Sequence, residues 1–283
     1  MGGYLTTGDV AKGTVIMTGG VVAMVLAGGI TNAGNATENK VFIHDGKANV
    51  VVGGNTSASG NATLNEVTIS GGEVDSVGGG FADGDATGNT VTLISGKVTG
   101  NVLGGGCSGD CITDNTLAVQ GKVFTVGGDV LNFDTLNFDL GTIAANDVVL
   151  DVGGTADFSK VTAAKFSFNL ADGATLKKDD KIYLIKAGTT LYPPALPTAP
   201  INAGGYTFEV TQVGKDLVAK VTQEPPAPTP DPTPTPPYYH SGDNSSPTMG
   251  ELGLLLSGLA LAGAAAPALH RREKQGKKAD TSQ

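Results

Sequence analysis

A repeat governs what this chain can fold into. Four segments share one spacing: A-T-E-N-K-V-F-I-H-D-G from Ala36, A-T-L-N-E-V-T-I-S-G-G from Ala62, A-T-G-N-T-V-T-L-I-S-G from Ala86 and I-T-D-N-T-L-A-V-Q-G from Ile112. Their threonines (Thr37, Thr63, Thr87, Thr113) and asparagines (Asn39, Asn65, Asn89, Asn115) step by 26, 24 and 26 residues. A glycine pair recurs once per period at Gly28-Gly29, Gly53-Gly54, Gly78-Gly79, Gly104-Gly105 and Gly127-Gly128. Gly13 to Gly29 reads as a degenerate earlier copy, with Val15 and Met17 in the apolar columns. A period in this range marks a solenoid, a propeller or an array.

The runs within each period are too short for helical repeats, and alternation supports strands. Thr63, Asn65, Val67 and Ile69 share parity, as do Thr87, Asn89, Val91 and Leu93, so each set is expected on one inward face. Glu66, Thr68 and Ser70 fall on the other. One coil per period, stacked at ~4.8 Å, satisfies this pattern. Val67 then sits on Val41 and Ile69 on Ile43. The asparagines form a hydrogen-bonded ladder, and Lys40 neighbours Glu66. The expected fold is all-β: a parallel β-solenoid with a C-terminal β-rich cap, a proline-rich linker and one C-terminal transmembrane helix. A propeller blade would need ~40 residues and more aromatics than the 5% present here.

Composition agrees. Glycine makes up 43 of 283 residues, there is no tryptophan, and the first proline is Pro193. Proline is excluded from continuous ladders because it lacks the N–H. The formal net charge is −9 and the only arginines are Arg271 and Arg272. No basic stripe exists for phosphates, which argues against a nucleic-acid partner.

The period breaks after Gly128. Asp147–Val152, Ala164–Leu170, Lys181–Lys186, Tyr206–Gln212 and Leu217–Val221 still read as strands. Leu191 to Pro200 reads as a loop. A solenoid end needs a cap. The domains are therefore drawn as solenoid repeats 1–128, a β-rich capping region 129–222, a proline-rich linker 223–246 and a membrane-directed tail 247–283. The linker, E-P-P-A-P-T-P-D-P-T-P-T-P-P from Glu224, favours extended polyproline II.

Leu252 to Leu269 contains no charged residue. Leu252, Leu254, Leu255, Leu256, Leu259, Leu261 and Leu269 make it a candidate span of 18 residues, at the short end of the usual range. Arg271 and Arg272 follow. By the positive-inside rule they stay in the cytoplasm and residues 1–249 lie outside it. Met1–Lys12 has no basic stretch leading into an apolar one, so the true precursor is expected to start upstream.

Two resemblances add to this reading. The N-x-V-x-I-x-G-G-x-V…V-x-G-G run from Asn65 to Gly79 resembles the passenger regions of bacterial autotransporters and related surface adhesins. That resemblance covers roughly residues 13–128. L-N-F-D-T-L-N-F-D-L at 131–140 and L-K-K-D-D-K-I-Y-L-I at 176–185 look like the ends of such passengers. No barrel-forming stretch follows. The order of short motif, apolar span and basic cluster resembles the C-terminal sorting signals of Gram-negative bacteria of the IPTL-CTERM type. Pro247, Thr248, Glu251 and Gly253 match that family's pattern; Ser246, Met249, Gly250 and Leu252 depart from it, and the usual tryptophan is missing. The resemblances imply an adhesin-type surface protein, with a membrane-embedded processing enzyme and a glycan or a host or matrix protein as partners. A structural coat or matrix component is the second reading.

Chemistry-bearing residues are sparse. Cys107 and Cys111 in C-S-G-D-C read as a small local disulfide or two free thiols. A metal site wants four ligands, and no histidine lies near. His44 takes an outward position equivalent to Ser70, Ile94 and Gln120. Asp83-Gly84-Asp85 reads as a turn rather than a calcium loop, since no glycine-aspartate nonapeptide recurs. Polysaccharide-active solenoids cluster acids with arginine or lysine in a groove, and scattered single aspartates do not form such a set. Thr68 and Thr92 stack outward, but Phe42 and Ala118 interrupt the row that ice binding would need. No catalytic residue, cofactor or metal is expected.

Overall fold

The computed structural model describes residues 4–5, 7–121, 123–171 and 173–226. Among them the chain is all-β, a parallel solenoid of about six turns without an α-helix; one 3-10 turn spans Ala163–Lys165. Strands Thr14–Ala33, Lys40–Ser59 and Glu66–Phe81 each wind round most of a coil and pair in parallel with the next. The register sets Val15, Val41, Val67, Val91, Leu117, Leu136 and Phe166 in one column. A second column holds Met17, Ile43, Ile69, Leu93, Val119, Phe138 and Phe168. All are buried.

These apolar columns dominate the energetics. A buried Val, Leu or Ile side chain stabilises by ~1.5–3 kcal/mol. The outward ion pairs, Lys40–Glu66 at 2.8 Å and Lys97–Glu73 at 2.8 Å, are half exposed and contribute ~0–1 kcal/mol each.

Two details of the repeat differ from the alternation pattern. Thr63 does not share the inward face with Asn65. Ala62 is buried and Thr63 only half-buried, and Thr63 Oγ1 lies 3.3 Å from Thr37 Oγ1. The cause is the residue between them. Lys12, Glu38, Leu64 and Asp114 have φ of 60°, 55°, 57° and 58°, and Gly88, at the equivalent site, 66°. One left-handed residue per coil turns the chain through a corner, so parity resets between threonine and asparagine. Thr37 and Thr87 are likewise half-buried and Thr113 is exposed.

The glycine register also shifts. Gly29, Gly54, Gly80 and Gly105 are the paired column, so the third pair is Gly79-Gly80 rather than Gly78-Gly79. Gly127-Gly128 belongs to another corner, where Gly127, Gly153 and Gly188 donate N–H to Val98, Val126 and Val152. Similarly, Ser70 pairs with Ser95, not Ile94, because a bulge interrupts the ladder there.

The parallel stack does not stop at residue 128. Val98, Val126, Val152 and Ala187 continue one column, and Val102, Val130, Ala156 and Leu191 another. Only the even spacing is lost. It shortens to 20 residues between hydrogen-bonded Asp114 and Asp134 and lengthens to 30 between Asn137 and Ser167. Phe124, Phe133, Phe138, Phe158, Phe166 and Phe168 fill these later coils, whereas the earlier ones are packed with Val, Ile, Leu and Ala. Leu191–Tyr192, expected within a loop, extends the stack by pairing with Ala156–Asp157.

An antiparallel sheet then closes the end. Asp216–Gln223 pairs with the last-coil strand Lys181–Ala187 and with Tyr206–Val213, which in turn pairs with Ile201–Ala203. Phe208 packs edge-on against Phe168, with ring centroids 4.9 Å apart. Tyr206 donates its hydroxyl to Ala174 O at 2.6 Å. The membrane-directed tail and all of the linker beyond Pro226 lie outside the described residues. Among the described residues no helix is long and apolar enough to cross a membrane.

The corner residue gives the first prediction. A non-glycine residue in the left-handed region costs ~1–2 kcal/mol, and glycine gives back ~0.5–1 through the unfolded chain. Leu64 is 55% exposed, so Leu64→Gly removes strain without opening the core. We expect a rise in thermal midpoint of roughly 1–3 °C, read by circular dichroism. A comparable fall would show that the corner is not strained.

Candidate functional site

The repeat asparagines come together in the interior. Asn39, Asn65, Asn89 and Asn115 are each 0% exposed. Asn39 donates both its backbone N–H and its side-chain Nδ2 to Asn65 Oδ1, each at 3.0 Å. Asn65 does the same to Asn89 at 3.0 and 3.0 Å, and Asn89 to Asn115 at 2.9 and 3.2 Å. The second Nδ2 hydrogen goes to a backbone carbonyl: Ala36 for Asn65, Ala62 for Asn89 and Ala86 for Asn115. Every amide in the column is thus satisfied, as burial demands. Among the described residues no buried side-chain polar atom lacks a partner.

Glycine makes this possible. A Cβ on Gly54 would lie 2.7 Å from Asn65 Nδ2 and Oδ1, and one on Gly79 would lie 2.7 Å from Asn89 Cβ. The asparagine side chains occupy the space that a Cβ would take. The glycine pairs therefore seat the ladder rather than merely turn the chain.

The disulfide loop ends the ladder. Cys107 and Cys111 are bonded, with Cα atoms 5.5 Å apart. Asn115, which has no asparagine on the next coil, donates Nδ2 to Cys111 O at 2.6 Å and its backbone N–H to Ile112 O at 3.1 Å. Asp110 accepts from the N–H groups of Ile112 and Thr113. These bonds, with one from the Thr113 side chain as the largest influence, hold its carboxyl below the usual range.

A second ladder runs on the outside, and the repeat alignment missed it. Asp9 Oδ1 accepts from Asn35 N–H, Asn35 Oδ1 from Asn61 N–H, Asn61 Oδ1 from Asp85 N–H and Asp85 Oδ1 from Asp110 N–H, at 2.7–2.9 Å. Its signal was present: Asn35, Asn61 and Asp85 each stand four residues before a ladder asparagine, in [N/D]-A-T-x-N. Asp85 of the Asp83-Gly84-Asp85 turn is thus a rung. Among the described residues no cluster of His, Cys, Asp and Glu could hold a metal ion.

Outward charges form rows. Glu73 lies between Lys47 at 3.6 Å and Lys97 at 2.8 Å, and the Lys97 hydrogen bond holds its carboxyl below the usual range. Lys165 bridges Asp134 at 2.6 Å and Asp114 at 2.9 Å, pinning the 3-10 turn to an earlier corner. Asp134, then Asp114, raises the Lys165 pKa. His44 is exposed, with Nδ1 2.8 Å from Ser70 Oγ. Open grooves follow these rows, one of about 530 Å³ along Lys12, Glu38, Lys40 and Glu66. Pro247, Thr248, Glu251, Gly253, the 252–269 leucines, Arg271 and Arg272 lie outside the described residues.

Comparison with protein-family models, with curated proteins and with solved structures finds no match.

The two ladders share the backbone N–H to Oδ1 bond from coil to coil but differ in burial and in the added Nδ2–Oδ1 bond of the inner one, which makes them a useful contrast. Asn65→Ala strands the donors of Asn39 and the carbonyl of Ala36 in the interior, at ~1–3 kcal/mol per orphaned group. A loss of at least about 3 kcal/mol is expected by denaturant titration. Asn61→Ala exposes its partners to water and should cost under about 1 kcal/mol. Equal losses would refute the distinction.

Proposed function

We propose that this chain is an exported, non-catalytic surface scaffold of the adhesin type, displayed by its solenoid and held or sorted by its C-terminal tail. The observation that carries the reading is the Cys107–Cys111 disulfide at the end of the ladder. Disulfides of structural importance belong to oxidising compartments. This one holds the carbonyl that receives the terminal asparagine amide.

The rest of the chain is consistent with display. Uninterrupted columns from Val15 to Phe166 make a stiff rod, because each coil is bonded to its neighbours through both backbone and side chains. The composition of the proline-rich stretch from Glu224 is that of a semi-rigid spacer. The apolar 252–269 stretch followed by Arg271 and Arg272 orients the solenoid away from the cytoplasm. The Pro247–Gly253 motif supplies the cut site for a membrane-embedded processing enzyme. The outer rows Lys40–Glu66 and Lys47–Glu73–Lys97 offer a glycan or a host or matrix protein polar contacts at fixed spacing.

The test is location. A tag between residues 240 and 246, protease treatment of intact source cells and the mass of the C-terminal fragment together decide it. Protease access with loss of the 252–283 tail is expected. A protected, intact, membrane-bound product would overturn the surface reading. A surface-exposed product that binds nothing on a glycan and matrix-protein panel would favour a structural coat instead.

A further inference from the structure

One side of the coil stops short of the others. Val10, Ala36 and Ala62 stack on it in parallel. Backbone bonds carry it on: Ala62 N–H donates to Asp85 O at 2.9 Å and Ala86 N–H to Asp110 O at 2.8 Å. The loop closed by Cys107 and Cys111 is the last layer of this side. The next coil omits it. Asn132 donates Nδ2 to Gly105 O at 2.8 Å, and Asp134 N–H donates to Asn115 O at 3.1 Å. Only Phe133 lies between those points, where the coil before has residues 106–114.

The loop is therefore held from one face. Towards the earlier coil, Gly109 N–H donates to Gly84 O at 3.2 Å and Asp110 N–H to Asp85 Oδ1 at 2.9 Å. Among the described residues, no hydrogen bond joins 107–113 to a later coil. Donors that would have met another layer turn back instead. Ile112 and Thr113 give their N–H groups to Asp110 Oδ1 at 2.9 and 3.1 Å. The layers before it are bonded on both faces, so local opening costs less here than in them.

The cross-link compensates for the missing layer. Cys107 follows the Val102–Gly106 strand and Cys111 leads into the Asn115 corner, so their bond closes the loop at its base. It fixes Cys111 O 2.6 Å from Asn115 Nδ2. Both cysteines are half-buried, within reach of a thiol in solution. They are the only two in the chain, so no other disulfide competes.

We propose that the Cys107–Cys111 bond is a redox latch, a site of exchange with an external dithiol that releases residues 106–114 while the rod stays folded. A thiolate of the dithiol attacks one sulfur and the S–S bond breaks. The second thiol of the same molecule then displaces the mixed disulfide. The dithiol gives up two electrons and two protons and becomes a disulfide, and Cys107 and Cys111 become thiols. Asn115 then loses the Cys111 acceptor, and the end of the buried ladder opens to water. The strand Thr116–Gln120 stays paired on both sides, with Thr90–Val98 and with Thr135–Leu140. The latch requires only that the bond has formed, so its failure is read separately from that of the surface reading.

Amide hydrogen exchange of the full chain in mild detergent, before and after dithiothreitol, tests the latch. Reduction should speed exchange at least about tenfold at Gly109, Ile112 and Thr113. Ala86 and Gly88, which donate to Asp110 O and Thr113 O, should follow. Val67 and Leu136 should change by less than about twofold. Cys107→Ser combined with Cys111→Ser should show the reduced pattern without the dithiol and ignore its addition. Exchange at 106–114 that is unmoved by reduction would overturn the proposal, because hydrogen bonds alone would then hold the loop. Loss of protection reaching Val67 and Leu136 would also overturn it, because the bond would then support the whole rod.

Discussion

The early coils of this solenoid are registered to one another by one buried asparagine per coil, from Asn39 to Asn115, lying across a glycine. The amide spans the stacking distance twice, once from its side chain and once through the neighbouring backbone N–H. It can lie there only because the glycine beneath it has no Cβ. The two residue types are thus one device. Remove the glycine and the amide has no seat; remove the amide and the coil is left with buried orphan groups. Aliphatic columns supply most of the stabilising energy, but a slip of two residues would keep the same faces inward. The asparagine ladder forbids that slip, since it would part each amide from its partner Oδ1 and from its glycine seat.

Where the ladder ends, the architecture changes. Asn115 finds the Cys111 carbonyl in place of another asparagine, and the even period is lost within one coil. Later coils no longer carry a buried asparagine ruler; their lengths vary and their interiors are filled by phenylalanines. The end of the stack is covered by an antiparallel sheet, which removes the edge that a parallel coil must otherwise leave open.

Much of this was legible in the sequence. The parallel solenoid, the Val41–Val67 and Ile43–Ile69 stacking and the asparagine column follow from spacing and alternation. The threonine column was read to the wrong side because alternation assumes a continuous strand, and one left-handed residue between Thr63 and Asn65 resets it. Nothing marks that residue chemically: it is Lys, Glu, Leu, Gly or Asp. The glycine pairs were visible, but their partner was not, since the seat they form is a contact between distant residues. The outer Asp9–Asp110 ladder was overlooked because Asn and Asp alternate in it and its bonds run to backbone. The stack beyond residue 128 was hidden by its uneven coil lengths. Pairing there is set by three-dimensional register rather than by a fixed interval.

The central claim is that asparagine and glycine act as one unit, and a double-mutant cycle at Gly54 and Asn65 tests it most directly. The nearest atoms to a Cβ on Gly54 all belong to the Asn65 side chain. Gly54→Ala should therefore be costly in the wild type and far milder once Asn65 is alanine. The expected coupling exceeds about 1 kcal/mol by chemical denaturation, within the range measured for residues in contact. Losses that simply add would contradict the account and leave the glycines as ordinary turn residues.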